Sequence, residues 1–104
     1  MPTRPSEHDP ETLARWSHRR ASLGARLREV RLSRGLTQES LALESGLSRN
    51  QLISFEWGRS SLAIERLFDL ADALGVPIDE LLTEPSSEPK RQINRGGRRR
   101  RSAQ

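Results

Sequence analysis

Four glycines, Gly35, Gly46, Gly58 and Gly75, punctuate the stretch from Leu23 to Leu82, and between them the large apolar residues recur at helical spacing. That pattern confines the chain to helices that end in tight turns, because glycine takes the left-handed conformation that closes a helix at no steric cost. Leu23, Leu27 and Val30 lie at i, i+4 and i+7, with Gly35 following as a stop. Thr37 suits an N-cap, Leu41 and Ala42 point inward, and Gly46 ends a short helix. Ser48 is the next cap, and Gln51, three residues on, completes a capping-box pair that opens a helix burying Leu52 and Phe55 and closing at Gly58. Ile64, Leu67, Phe68, Ala71 and Leu74 mark a fourth helix up to Gly75, and Pro77 leads into a last turn carrying Ile78, Leu81 and Leu82. No segment alternates with period two, so no sheet is expected. The fold class read from this pattern is all-α, a compact bundle of five short helices around one small core.

The bundle does not take up the whole chain. Of 104 residues, 33% are hydrophobic and 31% charged, too few apolar groups for every residue to join a dense core. Residues 1–8 carry two prolines and little apolar material, and residues 84–104 contain one large aliphatic side chain, Ile93; both are read as disordered, leaving 22–83 as the domain. Residues 9–21 form a further helix, either separate or an extension of the first. Asp9 caps it, Pro10 fits the first helical position, and Leu13, Trp16, Arg20 and Leu23 share a stripe. Trp16 packs on the domain's own surface in one reading and at a dimer contact in another.

The net charge of +4 conceals a polar layout. Residues 85–104 hold Lys90 and six arginines against Glu88, so the high isoelectric point belongs to the tail. Within the domain, residues 22–59 carry six arginines and four acids, whereas 60–84 carry one arginine and six acids. A mildly basic end opposite an acidic one suits a domain that presents a single face to a polyanion. The arginine run Arg98, Arg99, Arg100 and Arg101 reads either as a solvated tail or as a nonspecific clamp on nucleic-acid phosphates.

Residues 37–58, TQESLALESGLSRNQLISFEWG, comprise two helices of about eight residues joined by a turn at Gly46. This is the helix-turn-helix arrangement, whose second helix lies in the major groove of DNA. At about 100° per residue, Arg49, Asn50, Ile53 and Ser54 share the outward half of that helix, with Gln51, Leu52, Phe55 and Glu56 on the opposite half. The outward chemistry matches base edges: arginine pairs bidentately with guanine, asparagine with adenine, and an aliphatic group meets the thymine methyl. Glu56 falls inward and needs a partner, since an unpaired buried charge is costly.

The longer stretch, LGARLREVRLSRGLTQESLALESGLSRNQLISFEWGR followed by LFDLADALGVPIDELL, resembles the Xre family of phage-repressor-like (lambda-repressor-like) helix-turn-helix domains. Its marks are Arg-Gly-Leu-Thr-Gln at 34–38, Gly-Leu-Ser at 46–48, Glu-x-Gly at 56–58 and Ala-Leu-Gly-Val-Pro at 73–77. The resemblance implies that Gln38 contacts the DNA backbone, beside helix amides that favour an anion. It also implies that Gln51, Arg59, Ser60 and Ser61 lie where such domains touch phosphate again, Arg59 foremost. It supplies Arg31 as the buried partner of Glu56. Several positions depart from the usual pattern: Ser40 replaces the common glutamate, Ser45 an alanine and Leu62 a proline, while Leu43, Ile53 and Trp57 stand where polar residues are commoner. These last three would form a partner patch if their surfaces adjoin.

The expected function is a sequence-specific, double-stranded DNA-binding transcriptional regulator, a repressor rather than an activator, acting as a homodimer on a pseudo-palindromic operator in the cytoplasm of a prokaryote. Trp16, Ile78 and Leu82 are the candidate dimer residues. Two alternatives stand beside it, an antitoxin-type autoregulator and a protein- or RNA-interaction adaptor on the same fold. An enzyme is not expected: there is no cysteine, His8 and His18 lie outside the core, and no Gly-rich phosphate loop or metal-ligand spacing occurs. No cofactor, metal or ligand-sensing domain is expected. No apolar run reaches the roughly 20 residues of a membrane span, and no signal peptide is expected.

Overall fold

A computed structural model of the chain describes residues 9–86, which form five helices with no strand among them. They are α1 (Pro10–Ser33), α2 (Gln38–Ser45), α3 (Arg49–Glu56), α4 (Ile64–Leu74) and α5 (Ile78–Leu81). The Arg98–Arg101 run and the stretch 1–8 lie outside the described residues.

Of the two readings of residues 9–21, the fold takes the extension of the first helix. It runs unbroken for 24 residues, so the stretch from Pro10 to Ala21 is its N-terminal half. Nothing in that half interrupts it: Asp9 accepts the Thr12 amide at 2.8 Å, and Pro10 stands where its missing N–H costs nothing. Its far end closes as a Schellman turn. With Gly35 at φ 72°, the Leu36 amide donates to the Arg31 carbonyl and the Gly35 amide to the Leu32 carbonyl.

The core gathers Leu27 and Val30 of α1, Leu41 and Ala42 of α2, Leu52 and Phe55 of α3, Leu67, Leu70, Ala71 and Leu74 of α4, and Leu81 of α5. Leu41, Leu52 and Leu70 lose all exposure to solvent. Two members of the α4 pattern do not join it: Ile64 and Phe68, one turn apart, are about half exposed. They lie to one side of the Leu67–Leu70–Leu74 face that α2 covers. Ile78 packs partly against the core, whereas Leu82 is exposed.

Close backbone approaches and polar clasps set the helices against one another. Gly24 of α1 lies directly on the last turn of α3, where a Cβ would stand 2.2 Å from the Phe55 carbonyl oxygen. At Gly58, φ 75° and the nearness of the Ala21 backbone both exclude a side chain. Arg26 Nε donates to the Glu80 carbonyl at 2.7 Å and joins α1 to α5. The Ser86 amide donates to the Glu29 carboxylate at 2.8 Å, which holds the last described residue against α1.

Candidate nucleic-acid interface

The helix-turn-helix unit is built by side chains that close each helix end. Thr37 Oγ1 accepts the Ser40 amide at 3.0 Å and starts α2. Gly46, at φ 83°, ends it, and the Gly46 and Leu47 amides both return to the Ala42 carbonyl. Leu47 is buried, which sends the chain back into the bundle before Ser48 opens α3. The expected capping box is present in both directions: Ser48 Oγ accepts the Gln51 amide at 3.0 Å, and the Ser48 amide donates to Gln51 Oε1 at 2.9 Å. Arg66 of α4 adds a brace by donating from Nη2 to the Gly46 carbonyl at 2.8 Å while Nη1 meets Asp69 at 2.8 Å. Sequence reading missed this brace, since a long side chain reaching back twenty residues leaves no local signal.

The other end of α3 is held by a buried charge. Glu56 receives Arg31 Nε at 2.6 Å and Nη2 at 3.0 Å, a bidentate pair whose side chains retain 8% and 2% exposure. Arg31 Nη1 also donates to the Leu36 carbonyl at 2.9 Å, and Gln38 Nε2 donates to Glu56 Oε1 at 3.0 Å. One carboxylate thus joins α1, the start of α2 and the end of α3. The arginine partner agrees with the family resemblance. The contact from Gln38 is an addition: its amide has two N–H groups, and one is committed to Glu56.

On this frame the candidate base-reading residues separate into two pairs. Arg49 and Asn50, the first two residues of α3, are exposed, and Arg49 Nε lies 3.5 Å from Glu39 Oε2 of α2. Ile53 and Ser54, further along the same helix, are half-buried. Ile53 lines a groove of about 580 Å³ with Leu32, Leu36, Gln38, Glu56 and Trp57, and the Ser54 carbonyl accepts the Arg59 amide at 2.9 Å. The sequence reading of Gln51 is corrected. The helical wheel sets it on the inner half, yet it is exposed, because in the first turn its side chain folds back to cap.

Among the remaining phosphate candidates, Arg59 and Ser61 are exposed and Ser60 is half-buried, all three in the loop between α3 and α4. The three unusual apolar residues do not form one patch. Ile53 and Trp57 share the groove beside α1, while Leu43, 83% exposed, lies near Asp69 and Asp72 of α4. Among the described residues no group of His, Asp and Glu is arranged to hold a metal, and no helix is long and apolar enough to cross a membrane.

This geometry has close counterparts among known proteins. The helix-turn-helix family model HTH_3 matches residues 27–81. An uncharacterized transcriptional regulator from the ATPase CF(0) region of Rhodospirillum rubrum is 40% identical over 78 residues, 75% of this chain and 69% of that protein. The uncharacterized HTH-type transcriptional regulator y4dJ of Sinorhizobium fredii is 39% identical over 70 residues, covering 67% of this chain and 91% of its own length. The restriction-modification controller protein C.AhdI from Aeromonas hydrophila superposes with a TM-score of 0.59 at 39% identity, over 60% of this chain and 94% of the controller. Sequence and overall fold agree, and the chain belongs to the HTH_3 family of helix-turn-helix transcriptional regulators.

Proposed function

We propose that this protein represses transcription by placing α3 in the major groove of double-stranded DNA as a homodimer. The observation that carries this reading is the pair Arg49 and Asn50, exposed at the start of a helix that is fixed at both ends, by the Ser48–Gln51 box and by Glu56. Residues at the start of a recognition helix are those that reach base edges, and arginine and asparagine carry complementary patterns for guanine and adenine. Ile53 and Ser54 border that contact. Gln38, Gln51, Arg59, Ser60 and Ser61 flank it as phosphate contacts, Gln38 with the N–H that Glu56 leaves to it.

A domain of this size reaches operator affinity by pairing, with half-sites about one helical turn apart. Leu82, Trp16, Ile64 and Phe68, none of them part of α3, offer exposed apolar surface for a second copy. The protein works without catalysis or cofactor, in the cytoplasm and on the nucleoid of a prokaryote, with Arg98–Arg101 adding sequence-independent attraction to nucleic acid.

The test begins with selection of a preferred site from a pool of randomised duplexes. Arg49→Ala and Asn50→Ala each weaken binding to that site by about 1–3 kcal/mol while barely changing affinity for a scrambled duplex. Equal losses on both duplexes refute base reading.

A further inference from the structure

Glu39 answers to two opposed electrostatic demands, since a carboxylate in the first turn of a helix is favoured by the helix dipole but disfavoured by a nearby polyanion. It stands in the first turn of α2, next to Gln38, on the surface that the proposed function turns toward a polyanion. A carboxylate there opposes binding to any duplex. Among the described residues it pairs with Arg49, Nε to Oε2 at 3.5 Å, with 74% of the Glu39 and 57% of the Arg49 side chain exposed. An exposed pair of this length adds little to stability, and α2 and α3 are already fixed by Leu41, Leu52 and the Arg31–Glu56–Gln38 network. Beyond the modest help a first-turn carboxylate gives the start of α2, the consequence of the pair falls on what Arg49 does.

The geometry points to Glu39 as a specificity-determining residue that positions Arg49 and penalises its use on phosphate. This role rests on the base-reading function of Arg49 proposed above. A guanidinium has five N–H donors in a rigid fork. With Nε turned to Glu39, the Nη1 and Nη2 end is the part left for the two acceptors of a guanine, O6 and N7. At a guanine in register, Arg49 keeps both partners. On an unrelated duplex it has no such acceptor pair, and to reach a phosphate it must abandon Glu39 or draw a carboxylate toward the backbone. Glu39 thus lowers affinity for all DNA but lowers it most where Arg49 finds only phosphate, which widens the gap between right and wrong sites.

The test uses the full chain as wild type, Glu39→Gln, Arg49→Ala and the double variant. Binding is measured by fluorescence anisotropy on the duplex that wild type selects from a randomised pool and on a scrambled duplex of equal composition, across a range of salt. Glu39→Gln is expected to bind the scrambled duplex about 1.5- to 5-fold tighter, the range that an exposed ion pair supports. Its salt dependence there steepens by about 0.9 as Arg49 gains a phosphate. The selected duplex gains less, so discrimination falls. In the Arg49→Ala background the same substitution leaves discrimination unchanged. The proposal is overturned if Glu39→Gln leaves discrimination intact, or if it lowers it equally without Arg49, which marks a general charge effect. A pool from which wild type enriches no sequence overturns base reading itself, and this role with it.

Discussion

Replacing Gly24 with alanine sets two effects of opposite sign against each other. Gly24 lies in the interior of α1, where alanine is the better helix former by up to about 1 kcal/mol. Local propensity therefore predicts stabilisation. The tertiary contact predicts the reverse, since the new Cβ would lie 2.2 Å from the Phe55 carbonyl oxygen and 2.6 Å from that of Glu56. Ordinary contact begins at 3.4 Å, so α1 and α3 must part by about 1.2 Å, and because both obstacles are backbone no side-chain rotation relieves them. A gap of that order forfeits a quarter to a half of each dispersion contact it opens, and it pulls directly on the Arg31–Glu56 pair at 2.6 Å. Overpacking typically costs about 1–3 kcal/mol, and a clash on rigid backbone belongs at the upper end. Subtracting the helical gain leaves a net loss of about 2 kcal/mol. For a domain of this size that lowers Tm by about 8–16 °C, read by circular dichroism during thermal unfolding. Ala14→Gly, on the exposed half of α1, is the control and costs only about 0.5–1 kcal/mol. A Gly24→Ala protein as stable as wild type, or more so, refutes the close packing of α1 on α3.

Arg31→Ala strands the Glu56 carboxylate with only Gln38 and is expected to cost about 3–5 kcal/mol in urea unfolding. Replacing the pair together, Arg31→Met with Glu56→Leu, recovers most of that loss, and a single-variant cost below about 1 kcal/mol contradicts the buried pair. Ser48→Ala removes the cap of α3 and lowers stability by about 1 kcal/mol with an unchanged denaturant slope, whereas Ser48→Gly loses only a few tenths; equal stability of the alanine variant and wild type counts against the cap. Deleting residues 90–104 removes seven positive charges. Every phosphate that the shortened chain no longer neutralises reduces the slope of log affinity against log salt by about 0.9, while the folding free energy stays the same. An unchanged salt slope assigns those arginines to something other than duplex DNA.

What the sequence by itself determined are the features written in short spans: the caps and glycine stops that separate the helices after α1 begins, and the large apolar residues of the core apart from Ile64 and Phe68. Thr37, Ser48 and Gln51 act on amides three residues away, and Gly35, Gly46 and Gly75 end helices through their own backbone angles. Such interactions are local, so their signals survive in the order of residues. The apolar period placed Leu27, Leu41, Leu52, Leu67 and Leu74 in the core for the same reason, because a helix repeats its faces whatever it packs against.

Tertiary structure alone decided the rest. Whether residues 9–21 form a separate helix or the start of α1 was open in the sequence; in the fold Ala21 and Gly24 lie against Gly58 and the end of α3 with no break between them. Exposure on the reading face was also a tertiary outcome. A helical wheel assigns residues to halves by angle, but burial depends on which neighbour covers each half. The groove beside α1 takes in Ile53, the capping turn sends Gln51 outward, and no helix covers Ile64 and Phe68. The partners of the long charged side chains, Arg66 on the Gly46 carbonyl and Glu39 beside Arg49, were likewise invisible in the sequence. Residues ten or twenty positions apart meet only after the helices have docked, and docking depends on the shapes of whole faces rather than on any one residue's neighbours in the chain.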